Sequence, residues 1–269
     1  MKKIIVLLAL SFLMVSPIFS EEVSEEASSE EQETVDVNVD SLVDSEELMS
    51  SLMAIMENDS IANSFSYEHG EINIGDGIAT LNVPEGFKFL NAESSNTVLT
   101  DLWGNPPSET LGMLFLENES PVSDTFSFAV EISFIEEGYI EDDDAEDIDY
   151  DELLEGMQSD VADGNQARID AGYESMELLG WASAPFYDAE NKKLHWAKKF
   201  MFEGQDVATL NYDIRILGRK GVLSLNVIGD IDALPIVKEN IEPILSSTHF
   251  SEGHRYSDFN PDIDEIAAY

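Results

Sequence analysis

Between residues 194 and 228 the chain runs through three apolar-rich segments, 194–203, 206–217 and 222–228, parted only by the turn sequences Glu203-Gly204-Gln205 and Gly218-Arg219-Lys220-Gly221. Connections this short join neighbouring strands antiparallel, because a parallel return needs a crossover of a dozen residues or more. The core must therefore be built on an antiparallel meander. In the middle segment Ala208, Leu210, Tyr212, Ile214 and Ile216 alternate with Asn211, Asp213 and Arg215. Successive side chains of a strand point to opposite faces, so one face is apolar and the other polar. Ser224 and Asn226 fall on the matching polar face of the next segment, and His195 or Lys199 is a candidate to join them from the preceding one.

Around the meander, helices and strands come in blocks. Ile72 and Ile74 lead through Gly75-Asp76-Gly77 into Ala79, Leu81 and Val83, a hairpin signal. Segments 111–116, 126–135 and 178–182 read as further strands, the second with Phe126, Phe128, Val130, Ile132 and Phe134 on one face. Helices are predicted at 44–57, opened by Asp44 and Glu47, at the Val98, Leu99 and Leu102 cluster before Gly104, and at 144–171 with Ile148, Leu153, Met157, Val161 and Ile169 inward. A last helix carries Leu234, Val237, Ile241 and Leu245, with Asp232 as its cap. The class is α+β: a mainly antiparallel sheet with a C-terminal three-stranded meander and packed helices.

The first twenty residues pair Lys2 and Lys3 with an apolar run from Ile4 to Val15 and a polar exit at Ser16 to Ser20, the pattern of a secretory signal peptide. Residues 21–43 form an acidic leader without aromatic or basic residues, expected to be disordered, and 44–269 a single domain. The expected localisation is therefore exported, periplasmic or extracellular. The formal net charge is −43, with 56 acidic against 13 basic residues. That field repels nucleic acid and anionic lipid headgroups, so neither is an expected partner. An unknown envelope protein or ligand is. With no Cys, disulfides and thiolate chemistry are excluded, and 43% hydrophobic residues suffice for a core held by packing alone.

Two constellations merit weighing. Asn211, Asp213, Arg215 and Asn226 form a polar sheet face able to serve as a ligand floor, or equally to face solvent or hold a loop. In the acidic segment 141–152, Asp147, Asp149 and Asp151 stand at alternate positions as Ca²⁺ ligands do, but Glu152 occupies the place of the turn glycine and Gln158 that of the bidentate Glu. The plain alternative is a solvated acidic approach to a helix N-terminus. Seven basic residues, Lys192, Lys193, Lys198, Lys199, Arg215, Arg219 and Lys220, fall within the meander and suit an acidic segment or partner. Phe186 and Tyr187 read as an exposed loop pair. No GxSxG, SxxK, Gly-rich phosphate loop or zinc-spaced His pair is present, so no catalytic residue is named and the leaning is against an enzyme. The reading is a non-catalytic envelope or interaction module; the alternative is an extracytoplasmic enzyme or calcium-dependent binder using 141–152.

Several phrases occur together and in order: GIATLNVPEGFKFL (77–90), VLTDLWGNPP (98–107), GWASAPFYD (180–188), KLHWAK (193–198), TLNYDIRILGRKGVLSLN (209–226) and GHRYSDFNP (253–261). With them the chain resembles the bacterial family known as domain of unknown function 2167, described as membrane-anchored. The resemblance implies no activity, cofactor or catalytic residue. It does imply a hydrophobic C-terminal anchor beyond the segment matching 264–269, which is absent from this sequence. The strand-rich closing half and final helix are similar in outline to small α/β sandwiches of the PsbP/Mog1 type.

Overall fold

A computed structural model describes residues 53, 56 and 58–267 apart from 124. Most of the helix expected at 44–57 lies outside the described residues; Met53 and Met56, which are described, are helical and exposed.

Seven strands build one antiparallel sheet. They are β3 (Phe87–Asn91), β4 (Gly112–Leu116), β5 (Phe128–Ile135), β6 (Met176–Asp188), β7 (Lys193–Phe202), β8 (Thr209–Leu217) and β9 (Val222–Asp230), in the spatial order β3-β4-β5-β9-β8-β7-β6. The expected meander is β7-β8-β9, and β9 carries the sheet on by pairing with β5 along eight residues from Phe128↔Gly229 to Ile135↔Val222. The expected hairpin is β1 (Glu71–Ile74) with β2 (Ala79–Asn82), joined through the turn at Gly75–Gly77, and β10 (Thr248–Phe250) adds a third strand to it.

Both faces of the large sheet are covered. On one face the helix α3 (Leu234–Ser247) and the small sheet bring Val237, Ile241, Ile244, Ile74 and Leu81 onto Leu210, Ile214, Leu225 and Val227. On the other face two separate clusters form. The helix α2 (Tyr150–Asp170) sets Met157 and Val161 against Leu194, Trp196 and Phe200. A short helix α1 (Ala92–Thr97) and the π-helical turn Val98–Leu102 after it set Val98, Leu99 and Trp103 against Met113, Phe115, Ala129 and Ile228. All nine residues of β8 are buried as a result. Antiparallel sheets often leave one face to water, and this one does not.

Local details differ from the expectation in four places. Asp149 rather than Asp144 starts the long helix: its Oδ1 accepts from the backbone N–H of Asp151 (3.2 Å) and Glu152 (3.1 Å), an N-cap that satisfies otherwise orphaned donors. Ile169 is exposed and does not face the sheet as expected. Asp232 caps nothing; it sits inside the 3₁₀ turn Ile231–Ala233, and α3 begins with Pro235 in its first turn. Phe186 and Tyr187 belong to β6 and not to a loop. Phe186 stacks on His195 with centroids 4.3 Å apart, and Tyr187 Oη donates to Asp142 Oδ2 at 2.6 Å.

Candidate functional site

The polar residues foreseen on β8 and β9 do share one face, and register places more of them in rows across the sheet. Trp196, Asp213, Asn226 and Glu131 are cross-strand neighbours on β7, β8, β9 and β5. Flanking rows bring Lys198 beside Asn211, and Arg215 beside Ser224 and Ser133. These residues lie between the α2 cluster and the α1 cluster, and every one is buried. The polar face is therefore not open to solvent; it is a polar strip inside a covered sheet.

Asp213 is its organising group. Its Oδ2 accepts from Arg215 Nε (2.7 Å) and Trp196 Nε1 (3.0 Å), its Oδ1 from Ser224 Oγ (2.7 Å). The Arg215 guanidinium also lies 5.1 Å from the Trp196 ring centroid, a cation–π geometry. Burial alone would raise the Asp213 pKa, but the charges of Arg215 and Lys198 and the hydrogen bonds from Ser224 and Arg215 outweigh it and hold the carboxyl below its usual value. Glu131 has weaker support, a long hydrogen bond from Ser133 Oγ to its Oε2 (3.4 Å). Burial pushes its pKa up to about 8, so it is protonated at neutral pH. Thr110 lies beside it but directs its hydroxyl to the backbone carbonyls of Gly112 and Ile132 (3.3 Å each), and Glu131 Oε1 is left without a hydrogen-bond partner. Asn226 lacks partners at both Oδ1 and Nδ2. Lys198, 5% exposed, has its pKa pushed down to about 8 by burial, and its Nζ faces the Trp196 and Phe200 rings at 6.0 and 5.8 Å.

An orphaned buried polar atom costs about 1–3 kcal/mol, and native structures leave few. Three such atoms, on adjacent residues of one row, mark this strip as a place where hydrogen-bonding capacity goes unused by the fold. Chemically it offers an ammonium, a neutral carboxyl and an amide.

Asn211, Asp213, Arg215 and Asn226 are thus brought together as foreseen. Glu131, Lys198 and Trp196 complete the strip and were not foreseen there. His195 and Lys199 lie on the opposite face, paired with Ile214 and Leu210. His195 contacts Tyr212 Oη at 3.1 Å, and burial depresses its pKa to about 4.

Asp147, Asp149 and Asp151 are not gathered around a common point. Asp149 caps α2, while Asp147 ends a 3₁₀ turn and is exposed, as is Asp151. Among the described residues no group of three or more His, Asp or Glu is placed to hold a metal ion. The acidic segment is instead pinned by Asp142, which accepts from Lys192 Nζ (2.6 Å), Tyr187 Oη (2.6 Å) and Tyr256 Oη (2.8 Å). Of the basic residues in the meander, Arg219 pairs with Asp264 in a fork of 2.7 and 2.9 Å. An open groove of about 650 Å³ runs between α2 and the start of β6. Its Gln158 and Asn165 amides are already bonded to the backbone of Leu178 and Met176, so it lacks the unmet polar groups of the strip.

No helix among the described residues is long and apolar enough to cross a membrane. A search of curated protein sequences finds no match. Among solved structures the chain is similar to cyanobacterial PsbP (CyanoP) from Synechocystis sp. PCC 6803, with 12% identity, a TM-score of 0.39 and coverage of 69% of this chain and 92% of that one. It is also similar to the Ran-binding protein Mog1p of Saccharomyces cerevisiae, with 12% identity, a TM-score of 0.36 and coverage of 72% and 100%. A family model matches residues 66–269, from just before β1 to the C-terminal residue, and the chain accordingly belongs to the family described as protein of unknown function DUF2167.

Proposed function

We propose that this protein is an exported, non-catalytic binding module of the cell envelope, and that the polar strip on the large sheet is where it takes a small polar ligand. Export rests on the leader pattern of the first twenty residues. The observation that carries the binding reading is the set of unpartnered buried atoms on Asn226 and Glu131 beside a fully bonded Asp213. A polar network kept only for structure is satisfied by its own members, since a half-satisfied one costs more than an apolar core. One side of this network is satisfied and the other is not, as suits a site whose remaining bonds are made to a ligand. A calcium-dependent role for Asp147, Asp149 and Asp151 has less support, because the cap made by Asp149 already engages one of the three.

The test is a thermal-shift panel of small polar molecules (organic acids, amines and sugars) at constant ionic strength, run on the full-length protein and on Asn226→Leu. At least one compound should raise the wild-type melting temperature saturably, since a ligand selective for the folded state stabilises it with concentration, and should leave Asn226→Leu unmoved. A panel in which no compound distinguishes the two proteins would overturn the reading.

A further inference from the structure

Within the strip, the unmet hydrogen-bonding groups have a definite order. Lys198 supplies a buried ammonium at one end. It has no hydrogen bond to any described residue, and Asp213, the carboxylate whose charge acts on it, already accepts from Arg215, Trp196 and Ser224. Arg215, by contrast, is paired with Asp213 at 2.7 Å, with Glu137 as a second nearby carboxylate. The cation lacking a bonded anion is thus Lys198. Toward the other end, Asn226 offers two amide hydrogens and an acceptor oxygen, and Glu131 one oxygen of its neutral carboxyl, all without partners. Lys198 and Asn226 are two strands apart and two residues apart along the strand. Sheet spacing alone puts their Cα atoms about 12 Å from each other, a separation that a lysine side chain and a ligand of a few atoms can span.

We infer that the strip binds a small organic acid carrying a hydroxyl or amino group near its carboxylate, with Lys198 taking the carboxylate and Asn226 and Glu131 the neighbouring group. A buried ammonium without an acceptor calls for an anion, because a charge-assisted bond is roughly twice as strong as a neutral one. A single ammonium with neutral donors matches a monovalent carboxylate. A phosphate, with more charge and three or more acceptor oxygens, would call for more cationic or N–H donors than one ammonium supplies. The acceptor oxygen left on Asn226 calls for a donor, which a simple carboxylate such as propionate lacks.

This inference rests on the polar strip being the binding site, and its test separates the two. Glycolate, L-lactate and L-alanine are titrated into the full-length protein at constant ionic strength by thermal shift and calorimetry. Propionate serves as the analogue without the hydroxyl and lactamide as the analogue without the charge. At least one hydroxy or amino acid should bind saturably, its counterpart lacking the hydroxyl or the charge about tenfold or more weaker, the loss of one charge-assisted bond. Lys198→Met should lose that binding while keeping its cooperative melt. Lys198→Arg, which keeps the charge, should retain part of it; this second variant discriminates should Lys198→Met fail to fold. Lactamide binding as well as lactate, or Lys198→Met binding as well as wild type, would overturn the carboxylate assignment. So would a response to sugars or amines alone, abolished by Asn226→Leu, although the strip would then stand as the binding site. No Asn226-dependent response to any compound would overturn both.

Discussion

Asn226 stands between Asp213 and Glu131 in one row of the sheet, and its amide hydrogen-bonds to neither. The two carboxyls on its flanks have opposite fates. Asp213 is ionised because two cations and three hydrogen bonds surround it, and Glu131 is neutral because its burial outweighs the opposing influence of Thr110 and Ser133. This difference gives the molecule a pH signature. Folded Glu131 keeps its proton to about pH 8, whereas a free glutamate releases it near 4.5, so the folded state holds the extra proton between those values. Stability then falls as the pH rises through that window. His195 acts in the other direction but lower: its folded pKa of about 4 against 6.5 means stability rises with pH between those values. From pH 6.5 to 8 Glu131 is the titrating group of the two. Urea midpoints of the wild type should decline over that interval and those of Glu131→Gln should stay level or rise slightly as Lys198 begins to lose its proton near pH 8; parallel curves for the two proteins would mean that Glu131 is ionised in the fold.

At the scale of elements, α2 is the part that owes most to tertiary packing. It runs 21 residues with Gly156 and Gly164 inside it, each costing a helix about 0.5–1 kcal/mol relative to Ala. A Cβ at either glycine would meet nothing within 4 Å, and neither has a positive φ. Gly156→Ala and Gly164→Ala should therefore each stabilise by up to about 1 kcal/mol, read from chemical denaturation; a loss at either position would show that the helix is bent or crowded there. The glycine before β9 is the reverse case. Gly221 has φ 155° and its missing Cβ would collide with the carbonyl oxygen of Ile135, so only Gly lets β9 start against the end of β5. The meander, the first hairpin and both long helices were legible from alternation and helical spacing. Strand parity across a turn was not. A three-residue turn at 203–205 would set His195 opposite Asp213, but the connection between β7 and β8 spans residues 203–208 and sets Trp196 there instead. One residue of slip exchanges the faces of a strand, which moved His195 out of the site and Lys198 into it.

For the whole molecule, the decisive fact is that the large sheet is covered on both sides. Alternation on β8 identified Asn211, Asp213 and Arg215 as one face, but exposure of that face depends on what α1 and α2 pack against, and no periodicity reports it. Glu131 was missed for the same reason: next to Val130 and Ile132 it reads as a solvent-facing position, and only the pairing of β5 with β9 brings it to Asn226. The overall charge of −43 points elsewhere, to the molecular surface, where acidic side chains such as Asp147 and Asp151 lie exposed. The strip at the centre of the sheet carries its own balance of Lys198, Arg215 and Asp213 and is set by local contacts. The central claim is that hydrogen-bonding capacity at Asn226 is held for a ligand at a cost to the ligand-free fold. Its most direct test is the unfolding free energy of ligand-free Asn226→Leu. A gain of about 1–3 kcal/mol is expected, because a side chain with the same number of heavy atoms removes unsatisfied polar atoms without orphaning a partner; a loss of about 1 kcal/mol or more would contradict the account.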